Sequence, residues 1–143
     1  MNILEQNKDF LRNNDLGLLV LRVALGGLML FHGVAKAMGG IVFIEGMLTQ
    51  MGLPAFLAYG ALICEIVAPI MLIIGLWTRA GAAMMAANMI VAILMAHLGA
   101  FFAVDPATGG WTAELPALYL LGAAALCFTG GGKYALTHGT FLD

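Results

Sequence analysis

The chain has few charged residues for its length. Only 10% of its 143 residues are Asp, Glu, Lys or Arg, whereas 62% are hydrophobic. Soluble domains average about a quarter charged and about half apolar residues. The formal net charge is −2, and no run of Lys or Arg forms a basic patch. The composition therefore excludes an ordinary soluble domain, gives no support to a nucleic-acid partner, and indicates a protein that lies in the lipid bilayer.

Sequence motifs for redox cofactors and metals are also lacking. The two cysteines, Cys64 and Cys127, lie in separate apolar segments and form no C-x-x-C pair. There is no glycine-rich dinucleotide loop and no haem or iron-sulfur ligand set. A metal site from His32, His97 and Glu114 would take ligands from three separate segments without local spacing, so none is predicted. No cofactor is encoded by a motif.

Four apolar segments predict the fold. A helix needs about 20 apolar residues to cross a bilayer, and the segments are 16–35, 54–76, 80–99 and 113–130. Residues 41–54 are too short to cross, but their apolar positions follow a helical stripe, which predicts a short interfacial helix. We therefore expect an all-α, four-helix transmembrane bundle in which residues 1–143 form a single integral membrane domain. The last ten residues are expected to form a short exposed tail.

The third segment is dense in small residues. Ala82-x-x-x-Ala86 and Ala83-x-x-x-Ala87 have the spacing that lets helix backbones approach closely. This spacing predicts a central position for the third helix. It also offers a contact face for a homo-oligomer.

The positions of the basic residues predict the orientation. Lys8, Arg12, Arg79 and Lys133 fall at one side of the predicted bundle, and only Lys36 falls at the other. Cytoplasmic segments carry the excess of Lys and Arg. We therefore expect a multi-pass inner-membrane protein with both termini in the cytoplasm.

Three polar residues interrupt the apolar segments. Arg22 lies in the first segment, Glu65 in the second and Asn88 in the third. A charge near the bilayer centre costs roughly 2.5–3.5 kcal/mol, so such residues usually face the bundle interior. Pro69 lies four residues after Glu65 and removes the helix hydrogen bond to the Glu65 carbonyl. We expect Arg22, Glu65 and Asn88 to form one buried polar cluster, which is either a ligand site or a structural ion pair.

A second set of polar residues is expected at the outer mouth of the bundle. It comprises His32, Lys36, His97, Trp111 and Glu114. His32 and Lys36 share a helix face at positions i and i+4. The group could bind a polar head group, relay protons or consist of ordinary interface residues. No motif decides among these.

The chain resembles the DoxX family. The resemblance covers about residues 16–135 and rests on these features: Arg22 in the first span, His32-Gly33 with Lys36 at its end, Gly52 to Pro54, Glu65 in the second span, and the turn from Leu76 to Gly81. Members are small four-helix membrane proteins of bacteria and archaea. Some resemble subunits of thiosulfate:quinone oxidoreductases, and others are linked to membrane-associated thiol and superoxide defence.

The resemblance implies a redox role, in which electron transfer would need a bound quinone or a redox partner protein. The leading hypothesis is an accessory, non-catalytic subunit of a membrane redox system that binds a lipophilic ligand such as a quinone. The alternative is a transporter, a lipid-handling protein or a scaffold whose buried ion pair is structural. A four-helix transporter would need to form an oligomer.

Overall fold

The computed structural model describes residues 12–143 and is all-helical. The α-helices are α1 (Asn14–Ala35), α2 (Ile41–Gln50), α3 (Ala58–Ile74), α4 (Thr78–Ala92) and α5 (Glu114–Thr129). Two π-helical segments, Lys36–Gly40 and Ile93–His97, and two 3-10 turns, Ala55–Leu57 and Leu98–Ala100, extend these helices. The described residues contain no named strand and one isolated β-bridge, between Val104 and Trp111. Lys8, used above for orientation, lies outside the described residues.

Three continuous helical segments are long and apolar enough to cross a membrane. They are Asn14–Gln50, Ala55–Ile74 and Thr78–Ala100. The fourth apolar helix, α5, has 16 residues and is therefore about 24 Å long, somewhat short of a hydrocarbon core of about 30 Å. The predicted spans match the observed helices to within a few residues, and the all-α bundle is confirmed.

Local sequence explains where the first helices begin and end. Asn13 caps α1, since its Oδ1 accepts a hydrogen bond from Leu16 N at 3.0 Å. Gly39 has φ of 143°, outside the helical range, and separates α1 from α2. The ten residues of α2 make a helix of about 15 Å, which cannot cross a bilayer. The short helix between the first two spans is thus present as predicted.

The bundle is built by neighbouring pairs. α1 packs against α3, α3 against α4, and α4 against α5, whereas α1 meets α5 less extensively. α4 packs against α3 and α5, so its position is no more central than that of α3. Of its small residues, Ala82 is fully buried in the core, whereas Ala83 and Ala87 are exposed. The other core side chains come mainly from α1, α3 and α5 and include Met29, Leu72, Tyr119 and Leu126.

The C-terminal tail has mostly exposed side chains, as predicted, but its backbone is docked onto the bundle. Leu136 N donates to Gly75 O at 3.0 Å, and Arg79 N donates to Leu142 O at 2.9 Å. Trp77 N donates to the Thr137 hydroxyl at 2.9 Å. The turn between α3 and α4 contains left-handed residues at Gly75 and Trp77, and its peptide groups have lost their helical partners. The tail supplies those partners, although most of its side chains stay exposed.

The two ends of the bundle carry different elements. The tail end holds the turn between α3 and α4 and the C-terminal tail. The loop end holds α2 and residues 98–113.

Candidate functional site

Glu65 is the buried acidic group at the loop-end half of α3. It is 3% exposed, and its Oε1 accepts hydrogen bonds from Lys36 Nζ and from Asn88 Nδ2, the latter at 2.9 Å. The other carboxylate oxygen, Oε2, is buried and has no hydrogen-bond partner among residues 12–143. Because a buried carboxylate oxygen without a donor is costly, Oε2 marks a place where a ligand or water is expected to donate.

Three separate elements bring this cluster together. Glu65 lies on α3, Asn88 on α4, and Lys36 opens the π-helical segment that follows α1. Lys36 caps the C-terminal end of α1 with helical backbone geometry, and its side chain forms the ion pair with Glu65.

A glycine on α1 sets the spacing between α1 and α3 at Glu65. A Cβ added at Gly33 would lie 2.6 Å from the carbonyl carbon of Glu65, and a Cβ at Gly26 would lie 2.7 Å from the Pro69 oxygen. Pro69 has no N–H, so the Glu65 carbonyl lacks its usual helical donor. The Cα of Gly33, which carries no side chain, lies against this carbonyl, so α1 and α3 meet here at van der Waals distance. This contact fixes the height of Glu65 relative to α1.

An apolar cavity of about 160 Å³ lies on one side of the Lys36–Glu65 pair. Its walls are aliphatic and aromatic side chains of α2, α3 and α4, and include Phe43, Ile44, Met47, Val91 and Met95. Its polar edge consists of Lys36, Glu65 and Asn88. The cavity therefore combines an apolar body with one charged and hydrogen-bonding end, as sites for lipophilic ligands do.

A second cavity, the histidine cavity, lies on the other side of the same ion pair. It measures about 130 Å³ and lies mainly between α1, α5 and the loop-end part of the α4 segment. His32, His97 and Tyr119 line it together with Lys36 and Glu65. The rings of His32 and Tyr119 meet edge to face, with centroids 6.0 Å apart. Lys36 and Glu65 thus form part of the wall of both cavities.

The comparisons with known proteins identify the family. The DoxX family model matches residues 17–98. A Bacillus subtilis protein named "Putative oxidoreductase CatD" is 33% identical over 132 residues, which cover 91% of this chain and 88% of that protein. An uncharacterized Haemophilus influenzae protein is 32% identical over 145 residues, covering 99% and 98%.

This chain belongs to the DoxX family. It is accordingly a membrane protein, in agreement with its apolar helices. No solved structure matches it. The matched range contains Arg22, Lys36, Glu65 and Asn88, whereas α5 and its Tyr119 lie outside it.

Arg22 does not join Glu65, and the predicted pair between them is wrong. Arg22 is fully buried, and its guanidinium donates to Leu72 O at 2.9 Å, Ile73 O at 3.3 Å and Tyr134 O at 3.0 Å. Gly33 is the residue of α1 that lies against Glu65. Arg22 is eleven residues earlier in α1, about 16 Å along the helix, which is too far for its guanidinium to reach the Glu65 carboxylate. Arg22 instead caps the negatively polarised C-terminal end of α3.

The predicted outer-mouth residues divide into two groups. His32, Lys36 and His97 line the histidine cavity, and are therefore brought together as expected. Trp111 donates its indole N–H to Phe101 O and packs its ring against that of Phe101. Glu114 is exposed in the first turn of α5. Neither Trp111 nor Glu114 lines either cavity.

Sequence reasoning missed Tyr119. This residue is 6% exposed in the bundle core and lines the histidine cavity. The available signal was a tyrosine inside an apolar span, because a buried phenol usually finds a polar partner. Its neighbours, Leu118 and Leu120, gave no indication of which face of α5 turns inward.

The described residues offer no preformed metal cluster. Within residues 12–143, no group of three His, Cys, Asp or Glu side chains is close enough to hold a metal ion. Glu114, the third ligand considered with His32 and His97, stays outside the histidine cavity. Cys64 and Cys127 are both free thiols.

Proposed function

We propose that this DoxX protein binds the head group of a lipophilic, quinone-type ligand and serves as an accessory subunit of a membrane redox system. The single observation behind the proposal is the unpartnered Oε2 of Glu65, a residue at the edge of the apolar cavity. Lys36 and Asn88, which hold the other oxygen, line the same cavity.

The unpartnered oxygen favours a ligand site over a purely structural ion pair. Buried ion pairs that only fix helix register are stable when every remaining lone pair is satisfied. Oε1 of Glu65 takes both available donors, whereas Oε2 takes none. A half-satisfied buried group is a cost to folding unless another molecule completes it. At a binding site, the bound ligand offsets this cost by donating to the oxygen.

The size of the apolar cavity fits a head group and not a whole ligand. Sites that enclose drug-sized molecules measure about 300–1,000 Å³, whereas this cavity has about 160 Å³. A single substituted ring fills such a volume. The lipophilic tail of the ligand would then remain in the bilayer beside α2 and α4, where Phe43 is 72% exposed and Val91 is 50% exposed.

The histidine cavity supplies a route for protons. Reduction of a quinone takes up two protons, and imidazoles suit proton relay at neutral pH. His32 and His97 line this cavity together with Glu65. In the proposed function, Glu65 exchanges protons with the ligand on one side and with the histidine cavity on the other.

The comparisons support the redox part of the proposal. The chain belongs to the DoxX family, and the name of its Bacillus subtilis relative refers to an oxidoreductase. A quinone-type ligand would itself carry the electrons, and a partner protein in the membrane would exchange them. In this role the described chain binds and orients the ligand.

Identification of the co-purifying ligand tests the proposal. The protein is purified in mild detergent, and bound small molecules are extracted with organic solvent and identified by absorbance and mass. We expect a quinone near one per chain. The double variant Lys36→Met with Glu65→Leu should lose it, and this variant is expected to fold because apolar replacement of a buried ion pair is often neutral or stabilising.

The matched control is Glu114→Gln, which changes an exposed carboxylate outside both cavities and should retain the ligand. Recovery of phospholipid alone from the wild type would overturn the proposal. The same holds if the double variant retains the quinone. Either result would favour a lipid-handling, transport or scaffold role with a structural ion pair.

A further inference from the structure

We infer that the site selects the hydroxyl-bearing, reduced form of its ligand, a quinol, over the oxidised quinone. The inference rests on the proposed function and concerns the redox state that the site recognises. The deciding feature is that the free polar atoms of Glu65 and Asn88 at the edge of the apolar cavity are acceptors.

The Glu65 carboxylate is the first acceptor. It is paired with Lys36, and an ionised carboxylate accepts hydrogen bonds but has none to donate. Oε1 is occupied by Lys36 and Asn88, so Oε2 is the carboxylate oxygen that still lacks a donor among the described residues. A hydroxyl group can donate to Oε2, whereas a quinone carbonyl placed there would bring two acceptor oxygens together.

Asn88 provides the second acceptor. Its Nδ2 donates to Glu65 at 2.9 Å, which fixes the orientation of the amide. The amide oxygen, Oδ1, therefore remains an acceptor on a residue that lines the same cavity. Glu65 and Asn88 together present acceptors to the ligand, and both can be satisfied by hydroxyl groups.

Lys36 is a hydrogen-bond donor at the same edge and could favour a quinone carbonyl. The partial exposure of its side chain argues against a large contribution to the preference. Its Nζ already donates to Glu65 Oε1, and its side chain is 28% exposed. Water can therefore satisfy its other N–H groups, whereas Glu65 is 3% exposed and its Oε2 is buried without a donor among the described residues. The larger gain on binding comes from satisfying the buried acceptor.

The size of the preference follows from the charge of the acceptor. A hydrogen bond to a buried charged group changes affinity by about tenfold to a hundredfold. The reduced and oxidised ligands differ by two electrons and two protons, which convert both carbonyl acceptors into hydroxyl groups. Tighter binding of the reduced form must raise the midpoint potential of the bound ligand, by about 30–60 mV for this fold-change in a two-electron couple.

The experiment compares both redox forms of one probe on the full-length protein in lipid nanodiscs. The probe is a benzoquinone with a short alkyl tail and its hydroquinone, titrated anaerobically by calorimetry. We expect the wild type to bind the hydroquinone about tenfold to a hundredfold more tightly. A mediated redox titration of the bound probe should show the upward shift of its midpoint potential.

Glu65→Gln is the diagnostic variant. Its amide can donate to a carbonyl through the nitrogen, so the preference for the hydroquinone should fall at least tenfold. Glu65→Asp keeps an acceptor-only carboxylate and should retain the preference, and Glu114→Gln should leave both affinities unchanged. Equal wild-type affinities for the two forms, or a ratio unchanged in Glu65→Gln, would overturn the inference. Wild-type binding of neither form would overturn the proposed function itself.

Discussion

The Cα atom of Gly33 lies directly against the carbonyl of Glu65. A Cβ at position 33 would stand 2.6 Å from the Glu65 carbonyl carbon, closer than any ordinary contact. The carbonyl is free to receive this contact because Pro69 donates no hydrogen bond to it. A single glycine on α1 therefore determines where the buried acid of α3 lies, and so where both cavities lie.

Gly33→Ala is predicted to destabilise the protein and to disturb the ligand site. The added methyl group meets backbone, which cannot rotate away, so we expect a loss near the upper end of the overpacking range, about 3 kcal/mol. Thermal unfolding in detergent, followed by circular dichroism, measures the effect. Ligand retention should fall in parallel, because Glu65 is displaced from Lys36.

Gly27→Ala is the matched control on the same helix, where an added Cβ meets nothing within 4 Å. It should be neutral or slightly stabilising, since Ala favours helix by about 1 kcal/mol over Gly. Equal melting temperatures for the two variants would refute the role assigned to Gly33.

Arg22→Met is predicted to affect stability and not ligand binding. Arg22 donates to the end of α3 and to Tyr134 O, so its removal leaves buried carbonyls without a donor. We expect a loss of about 1.5–3 kcal/mol, measured as a lower melting temperature, with the bound ligand per folded chain unchanged.

Arg12→Met, at an exposed position, serves as the control and should match the wild type. If Arg22→Met instead retained its stability but lost the ligand, Arg22 would belong to the binding site after all. Within the described part of the chain, the hydrogen bonds of the Arg22 guanidinium are to Leu72, Ile73 and Tyr134 at the tail end of the bundle, away from Glu65.

The helices were predictable from sequence, but their pairing was not. Apolar runs of about 20 residues define membrane spans directly, and the polar residues Glu65 and Asn88 were correctly placed in one cluster. Helices that are apolar all round carry no periodic signal to show which faces meet. The choice of Lys36 over Arg22 as the partner of Glu65 depends on the close contact at Gly33, which lies three residues before Lys36. This contact has no reliable sequence signature.

The two cavities are predicted to differ in their access to water. His97→Cys places a thiol in the histidine cavity, and Met47→Cys places one in the apolar cavity. With Cys64 and Cys127 replaced by Ala, a charged, water-soluble thiol reagent should label position 97 much faster than position 47. A lipophilic maleimide should label position 47 at least as well.

The labelling rates are read by mass on protein in intact vesicles. Similar rates at the two positions with the charged reagent would mean that the ion pair does not separate a wet side from a lipid side. That outcome would remove the proton route assigned to the histidine cavity while leaving ligand binding to be tested independently.

The orientation of the bundle gives the last prediction. Arg79 and Lys133 both lie at the tail end, where Lys133 N also donates to the side chain of Asp15. Lys36 lies at the loop end and is neutralised by Glu65. Since Lys and Arg near span ends are retained in the cytoplasm, the tail end should face the cytoplasm and the histidine cavity should face the other side.

A fluorescent protein fused after Asp143 should therefore fluoresce, and alkaline phosphatase fused there should be inactive. Phosphatase activity with no fluorescence would invert the topology, and the proton route through His32 and His97 would then start from the cytoplasm.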